Sequence, residues 1–331
     1  MSCPQCFTGS VLEGEPTGVI SEIDGAYFAA GPSDGNSGSK RAVIFLTDVF
    51  GLKLKNSKIL ADQFAQHLKC DVWIPDVFAG KPPVTVEQMK TLPDRAGVKF
   101  GIWEILKLVP RVLPSVPALL ITNRSAVVDG RTISFVKKLQ EKKKYDNLGA
   151  IGYCFGGGIA TRVGATTTLF NSIILVHPSP PTDDQLKAIK APTAWSMPED
   201  DMGIKPARLE EIERLYAARK GKDTFVDYEI KVYKGCAHGF GARPNFEYPD
   251  VKEGFEKAFQ QAVDWFNKTI PGTPQVAIIC FYLLLLVVSN FYYFLSEDLA
   301  SCSTATYSAL QPSTIWLTLL IALTKTIRIL S

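Results

Sequence analysis

The chain is short of net charge, of histidine and of any secretory start. Its 36 basic and 33 acidic side chains leave +3 over 331 residues. That excess is too small to argue for nucleic acid or an acidic partner. Three histidines, His67, His177 and His238, are the only imidazoles available for proton transfer near neutral pH. The seven cysteines, Cys3, Cys6, Cys70, Cys154, Cys236, Cys280 and Cys302, are odd in number and too sparse for a disulfide framework. Met1-Ser2-Cys3-Pro4-Gln5-Cys6 lacks both the basic start and the apolar core of a secretory leader. These absences point to a main domain in a reducing, cytoplasmic compartment. No internal repeat is visible. What is present is core-forming material: 46% hydrophobic against 21% charged residues, enough for one large or two ordinary domains.

Charge thins further at the C-terminus. Residues 271–331 hold only Glu297, Asp298, Lys325 and Arg328 as charged side chains. The stretch 276–295 is mostly apolar and, at about twenty residues, long enough to cross a bilayer as a helix. A second apolar run, 315–323, is too short to span alone. Pro271-Gly272-Thr273-Pro274 reads as a linker. The expected division is therefore a domain over 1–268, then a linker and hydrophobic tail over 269–331 with a candidate membrane segment at 276–295.

Before the tail, strand-like and helix-like segments alternate. That order predicts an α/β fold with a mainly parallel sheet flanked by helices. Short apolar runs at 42–46, 71–74, 148–151, 172–176 and 194–197 read as strands, and the alternation of Val226, Tyr228, Ile230 and Val232 as another. Leu60, Phe64 and Leu68 mark a helix behind Asn56 and Ser57 as caps. Leu209, Ile212, Leu215 and Tyr216 mark a second. Val251, Phe255, Phe259, Ala262 and Phe266 mark a third, opened by a capping box of Asp250 and Glu253. Ile133–Leu139 begins a helix that ends in the solvated run Glu141-Lys142-Lys143-Lys144. The proline-rich region 83–130 reads as an excursion with short helices over the pocket.

The chemistry concentrates at Gly152-Tyr153-Cys154-Phe155-Gly156-Gly157-Gly158. An apolar run precedes it and a helical pattern follows. A glycine-flanked nucleophile between strand and helix is the nucleophile elbow of α/β-hydrolases, and here the central side chain is a thiol. A cysteine nucleophile needs a base and a group to orient that base. His67 lies in an amphipathic helix and reads as a surface residue. His177 follows a strand, so it falls at the active edge and is expected to line the pocket. His238, in Gly235-Cys236-Ala237-His238-Gly239-Phe240, follows the last strand among small residues and is the expected base. The orienting carboxylate falls between nucleophile and base in chain order. Glu199, Asp200 and Asp201 stand there; Asp201 is the choice and Asp200 the alternative. The oxyanion is expected on two N–H groups, from Phe155 and from Val49 in the loop after the first strand.

In these residues the chain resembles the dienelactone hydrolase family, its fungal branch above all. The resemblance rests on Asp48-Val49-Phe50-Gly51, Pro75-Asp76-Val77-Phe78, the segment around Cys154, Met197 to Asp201, and His238-Gly239-Phe240, and spans roughly residues 1–268. It implies a single-domain α/β-hydrolase that cleaves small-molecule esters or lactones without metal or organic cofactor, through a triad of Cys154, Asp201 and His238. It also implies that Asp48, standing where the family often has glutamate, modulates the resting thiol, and that Arg243 grips a substrate carboxylate. Family members often begin with a cysteine pair such as Cys3 and Cys6; by itself that pair is half a zinc site with no partner pair, and no metal site is read from it. Cys236 is expected only to pack. Two other readings stay open on the sequence alone: a non-catalytic binding module on the same fold, and a membrane-tethered protein acting through its tail.

Overall fold

The apolar run 42–46 is long enough for one inner strand, and it is buried on both sides. In the computed structural model, which describes residues 11–32, 40–85, 93–98 and 101–272, it becomes strand β3 (Arg41–Leu46), wholly buried. Successive side chains of a strand point to opposite faces. Val43 and Phe45 accordingly join one core, and Ala42, Ile44 and Leu46 the other.

The neighbouring strands are β1 (Val19–Ile20), β2 (Tyr27–Ala29), β4 (Asp71–Ile74), β5 (Asn147–Tyr153), β6 (Ser172–Val176), β7 (Thr193–Asp200) and β8 (Tyr228–Ala237). Among the described residues they form one eight-stranded sheet in the order β1-β2-β4-β3-β5-β6-β7-β8. The β1–β2 and β2–β4 pairs are antiparallel and all the others parallel. The expected α/β fold is thus present. Its two short N-terminal strands carried no legible pattern.

One face of the sheet is covered by α1 (Lys55–Leu68) and α7 (Pro249–Thr269). The other is covered by α3 (Ser125–Lys143), α4 (Phe155–Thr166), α5 (Asp183–Ala188) and α6 (Pro206–Ala217). Arg41 ties the first face together. Its guanidinium donates to the carbonyls of Leu68 and, at 2.7 Å, Ile270, at the ends of α1 and α7. Those are the unpaired, partly negative ends of helices, where a cation is favourable.

Three local expectations change. Asn56 and Ser57 do not cap α1; both are buried in its first turn, behind Leu54. Asn56 instead accepts the Leu12 N–H and donates to the Ala242 carbonyl, each at 3.0 Å, because a buried amide needs partners for both ends. Asp250 and Glu253 make no capping box: α7 begins at Pro249, whose ring suits a first turn, and Asp250 pairs with Arg95 at 2.9 Å. In the excursion, α2 (Ile102–Val112) passes through two short irregular turns, and α3 then starts at Ser125, a full two turns before the apolar pattern becomes legible.

The hydrophobic tail with its segment 276–295, and with it Cys3, Cys6, Cys280 and Cys302, lies outside the described residues. Among the described residues no helix is long and apolar enough to cross a membrane. Parallel pairing has one consequence for function. It gathers the carboxyl ends of β3, β5, β6, β7 and β8 at one edge of the sheet, where open α/β sheets bind ligands.

Candidate active site

Strand β5 ends at Tyr153 and α4 begins at Phe155, so Cys154 alone makes the turn, at φ 51° and ψ −111°. A side chain in that region costs about 1–3 kcal/mol of strain and persists only where its surroundings enforce it. The enforcement is close packing of backbone. A Cβ on Gly156 would stand 2.1 Å from the Leu46 carbonyl oxygen, and one on Gly152 2.4 Å from the Gly156 oxygen. Only hydrogen fits at either place. The end of β3 therefore lies against the first turn of α4, and residues 47–51 are carried to the side of the elbow. Hydrogen bonds from Cys154 N–H to the Val176 carbonyl and from Ser179 N–H to the Cys154 carbonyl, 3.1 and 3.0 Å, lock the turn to β6 and the loop after it.

His238 follows β8 directly. Its Nε2 lies 3.1 Å from Cys154 Sγ and its Nδ1 2.8 Å from Asp201 Oδ2. Asp201 follows β7 and is 1% exposed. Its second oxygen accepts the N–H groups of Gly203 and Ile204 at 2.7 and 3.0 Å, so the carboxylate is held from both sides. Asp200 instead reaches Lys205 at 3.4 Å on the exposed side. Asp200, the last residue of β7, is exposed, and Asp201, just past the strand's end, is buried.

Burial alone would lift the Asp201 carboxyl. The hydrogen bond and charge of His238, with the two backbone donors, outweigh it and hold the group below its ordinary value. Burial would likewise lower His238, yet negative charge on the Cys154 sulfur and the Asp201 hydrogen bond raise it to about 10. The balance favours the protonated form of the His238 imidazole.

His177 follows β6 and is fully buried, at φ 38°, so it does not face the pocket where the sequence placed it. Its ring packs 4.9 Å from that of His238 and 5.7 Å from that of Phe240. Neither ring nitrogen has a hydrogen-bond partner. Burial first, and the nearby His238 charge second, lower its pKa well below the usual value, so it is neutral.

Phe155 directly follows Cys154, and Val49 lies in the loop after β3, whose first residue packs on Gly156; among the described residues neither N–H donates a hydrogen bond. The Phe155 group opens α4, where helix N–H groups lack acceptors and favour negative charge.

Asp48 is 4% exposed and accepts the Phe50 N–H at 3.1 Å; it is not bonded to Cys154, whose sulfur turns to His238. Arg243 stacks 4.7 Å over the Phe50 ring, and its charge falls on Asp48. Burial nonetheless raises the Asp48 carboxyl to about 6. A carboxyl raised on folding contributes stability that is full below its unfolded value of about 4 and is lost as pH climbs through 6. Asp48→Asn removes that loss. The melting temperature of this variant relative to the parent is expected to rise steadily from pH 4 to pH 7. A flat difference across that range would contradict the buried carboxylate.

A cavity of about 440 Å³ opens beside His238, walled by Pro93, Val98, Met202, Lys205 and Ala237. The sequence reading expected the region 83–130 over the pocket, and Pro93 and Val98 from it do wall this cavity; Met202 and Lys205 it did not name. Met202 and Lys205 could have been found as neighbours of Asp201. Which residues of the 83–130 region reach the cavity was not legible, because the 93–98 segment is held by distant partners: Ala96 N–H to the Gly235 carbonyl at 2.9 Å, and Asn245 to Asp94 at 2.7 Å. Cys70 and Cys236 are fully buried, and burial pushes both thiols up to about 12. Cys236 packs against Gly254, as expected.

The family model of the dienelactone hydrolase family matches residues 26–270. Among curated proteins, the chain is 29% identical to the hydrolase pyvD of Aspergillus violaceofuscus over 266 residues, 80% of this chain and 95% of that one. It is 24% identical to the human carboxymethylenebutenolidase homolog over 269 residues, 80% of this chain and 96% of that one. Among solved structures, a Klebsiella pneumoniae protein described as a dienelactone hydrolase superposes with a TM-score of 0.53 at 17% identity, covering 73% of this chain and 91% of that one. At that identity the likeness speaks for the fold alone.

Proposed function

Since the chain belongs to the dienelactone hydrolase family, we propose that this hydrolase cleaves carboxylic esters or lactones of small molecules through a Cys154–His238–Asp201 triad. The observation that carries the proposal is the unbroken hydrogen-bonded path from Cys154 Sγ through His238 to Asp201, set at a strained turn on the carboxyl edge of the sheet. Sulfur attacks the carbonyl carbon while its proton resides on His238 Nε2. The N–H groups of Val49 and Phe155 receive the oxyanion. His238 then gives its proton to the departing alcohol or enol, leaving a thioester on Cys154. Water, deprotonated by His238, hydrolyses the thioester and restores the thiol. Asp201 fixes the imidazole tautomer and stabilises its charged form throughout. The mixed wall of Pro93, Val98, Met202 and Lys205 suits a compact, largely apolar ester with one polar end.

The test is a panel of activated esters and lactones assayed before and after iodoacetamide. Hydrolysis of at least one substrate is expected, with its loss following alkylation of Cys154 as read by mass spectrometry. Cys70 and Cys236 are expected to react far more slowly, since both are buried with raised thiol pKa values. Full activity after stoichiometric alkylation of Cys154 would remove the mechanism.

A further inference from the structure

The triad accounts for His238 but leaves a second imidazole unexplained. His177 is fully buried with both ring nitrogens unpartnered, although a buried polar atom without a partner costs about 1–3 kcal/mol. One of its nitrogens, Cys154 Sγ and a nitrogen of His238 all lie within 4.8 Å of one another. A thiolate and two imidazoles are a donor set for zinc.

We propose that Cys154, His177 and His238 form a binding site for a thiophilic divalent cation, Zn2+ in the first instance, that competes with the reactive state of the thiol. With zinc–sulfur near 2.3 Å and zinc–nitrogen near 2.0 Å, tetrahedral ligands stand about 3.3–3.5 Å apart. Cys154 and His238, at 3.1 Å, need to open slightly. No pair needs to close by more than about 1.5 Å from the 4.8 Å limit. Asp201 already accepts the bond from His238 Nδ1, which leaves Nε2 as the donor toward sulfur and metal. A carboxylate behind a ligating histidine is the usual outer partner of a zinc site. The fourth position is left for water from the cavity beside His238.

The exchange balances. The proton shared by Cys154 and His238 leaves to solvent, the metal forms one bond to sulfur and two to nitrogen, and nothing is oxidised. Bound metal removes both the nucleophile and the base, so hydrolysis stops until a chelator withdraws it. That inhibitory consequence rests on the proposed hydrolysis; the binding itself does not.

The experiment uses the full chain loaded with Zn2+ or Co2+ alone, beside Cys154→Ala and His177→Gln. Metal stoichiometry is expected to fall by one in Cys154→Ala, a comparison that discounts the other cysteines. The Co2+-loaded parent is expected to show a thiolate charge-transfer band that Cys154→Ala lacks. His177→Gln is expected to weaken the site at least about 10-fold. Because His177 is buried and its replacement can unfold the chain, X-ray absorption of the zinc-loaded parent minus Cys154→Ala gives a second reading, expected at one sulfur and two imidazoles. Equal stoichiometry in parent and Cys154→Ala, or a difference spectrum with fewer than two imidazoles, overturns the proposal. If the charge-transfer band appears but no ester is hydrolysed, the site stands and the hydrolytic reading fails.

Discussion

Cys154→Ala is expected to lower kcat/KM for any ester the enzyme turns over by at least about 10⁴-fold, since a nucleophile and its base act as one unit and either loss removes most of the acceleration. The cause is specific. Without sulfur, His238 Nε2 loses the atom 3.1 Å away that it would deprotonate, while Asp201 and the N–H groups of Val49 and Phe155 stay in place. Stability should change little, within about 1–2 kcal/mol, because the lost group is half-buried and makes one hydrogen bond to another side chain. Activity and thermal melting are therefore to be measured on the same preparation. A variant that keeps more than a hundredth of the parental turnover while melting normally would assign the chemistry elsewhere. Incubation of the parent with an activated ester, quenched in acid, should show the acyl mass on the peptide containing Cys154.

The second large effect is structural. Gly156→Ala places a carbon 2.1 Å from the Leu46 carbonyl oxygen and 2.5 Å from that of Thr47. Both obstacles are backbone in the central strand of the sheet or the loop leaving it, so neither can swing aside. Forced overpacking at such a site is expected to cost about 3 kcal/mol. The activity should fall as well, because the loop pushed away carries Val49. Gly130→Ala provides the contrast. Gly130 lies inside α3 with nothing within 4 Å of the added carbon. There the change should stabilise by about 0.5–1 kcal/mol, through helix propensity and a less disordered unfolded chain. Urea unfolding midpoints of the two variants should therefore move in opposite directions. A Gly156→Ala protein as stable as the parent would mean that the elbow does not pack against β3.

The contrast shows where local sequence is informative. The elbow was legible because three things coincide within a dozen residues: an apolar strand, glycines that admit close backbone, and a cysteine between them. The inner strands were legible because burial on both faces leaves uninterrupted apolar runs, as in Ala42–Leu46 and Ser172–Val176. Strands β1 and β2 are two and three residues long, too short to show any period. Asn56 and Asp250 misled for one reason. Each is a residue type that caps helices, but each has a stronger partner far along the chain: Leu12 and Ala242 for one, Arg95 for the other.

The sequence by itself determined the class of sheet, the sharp strand-to-helix turn at Cys154 and the chain order of Cys154, Asp201 and His238, because apolar periodicity, glycine and chain order are local properties. Tertiary structure alone decided which of two adjacent carboxylates meets His238: Asp201, just past the end of β7, is buried against it, while Asp200 stays exposed beside Lys205. It also decided that His177 is sealed beneath His238 instead of lining the pocket, and that residues 93–98 wall the cavity. Each of those outcomes depends on contacts between segments tens of residues apart, and no short pattern of residue types records them.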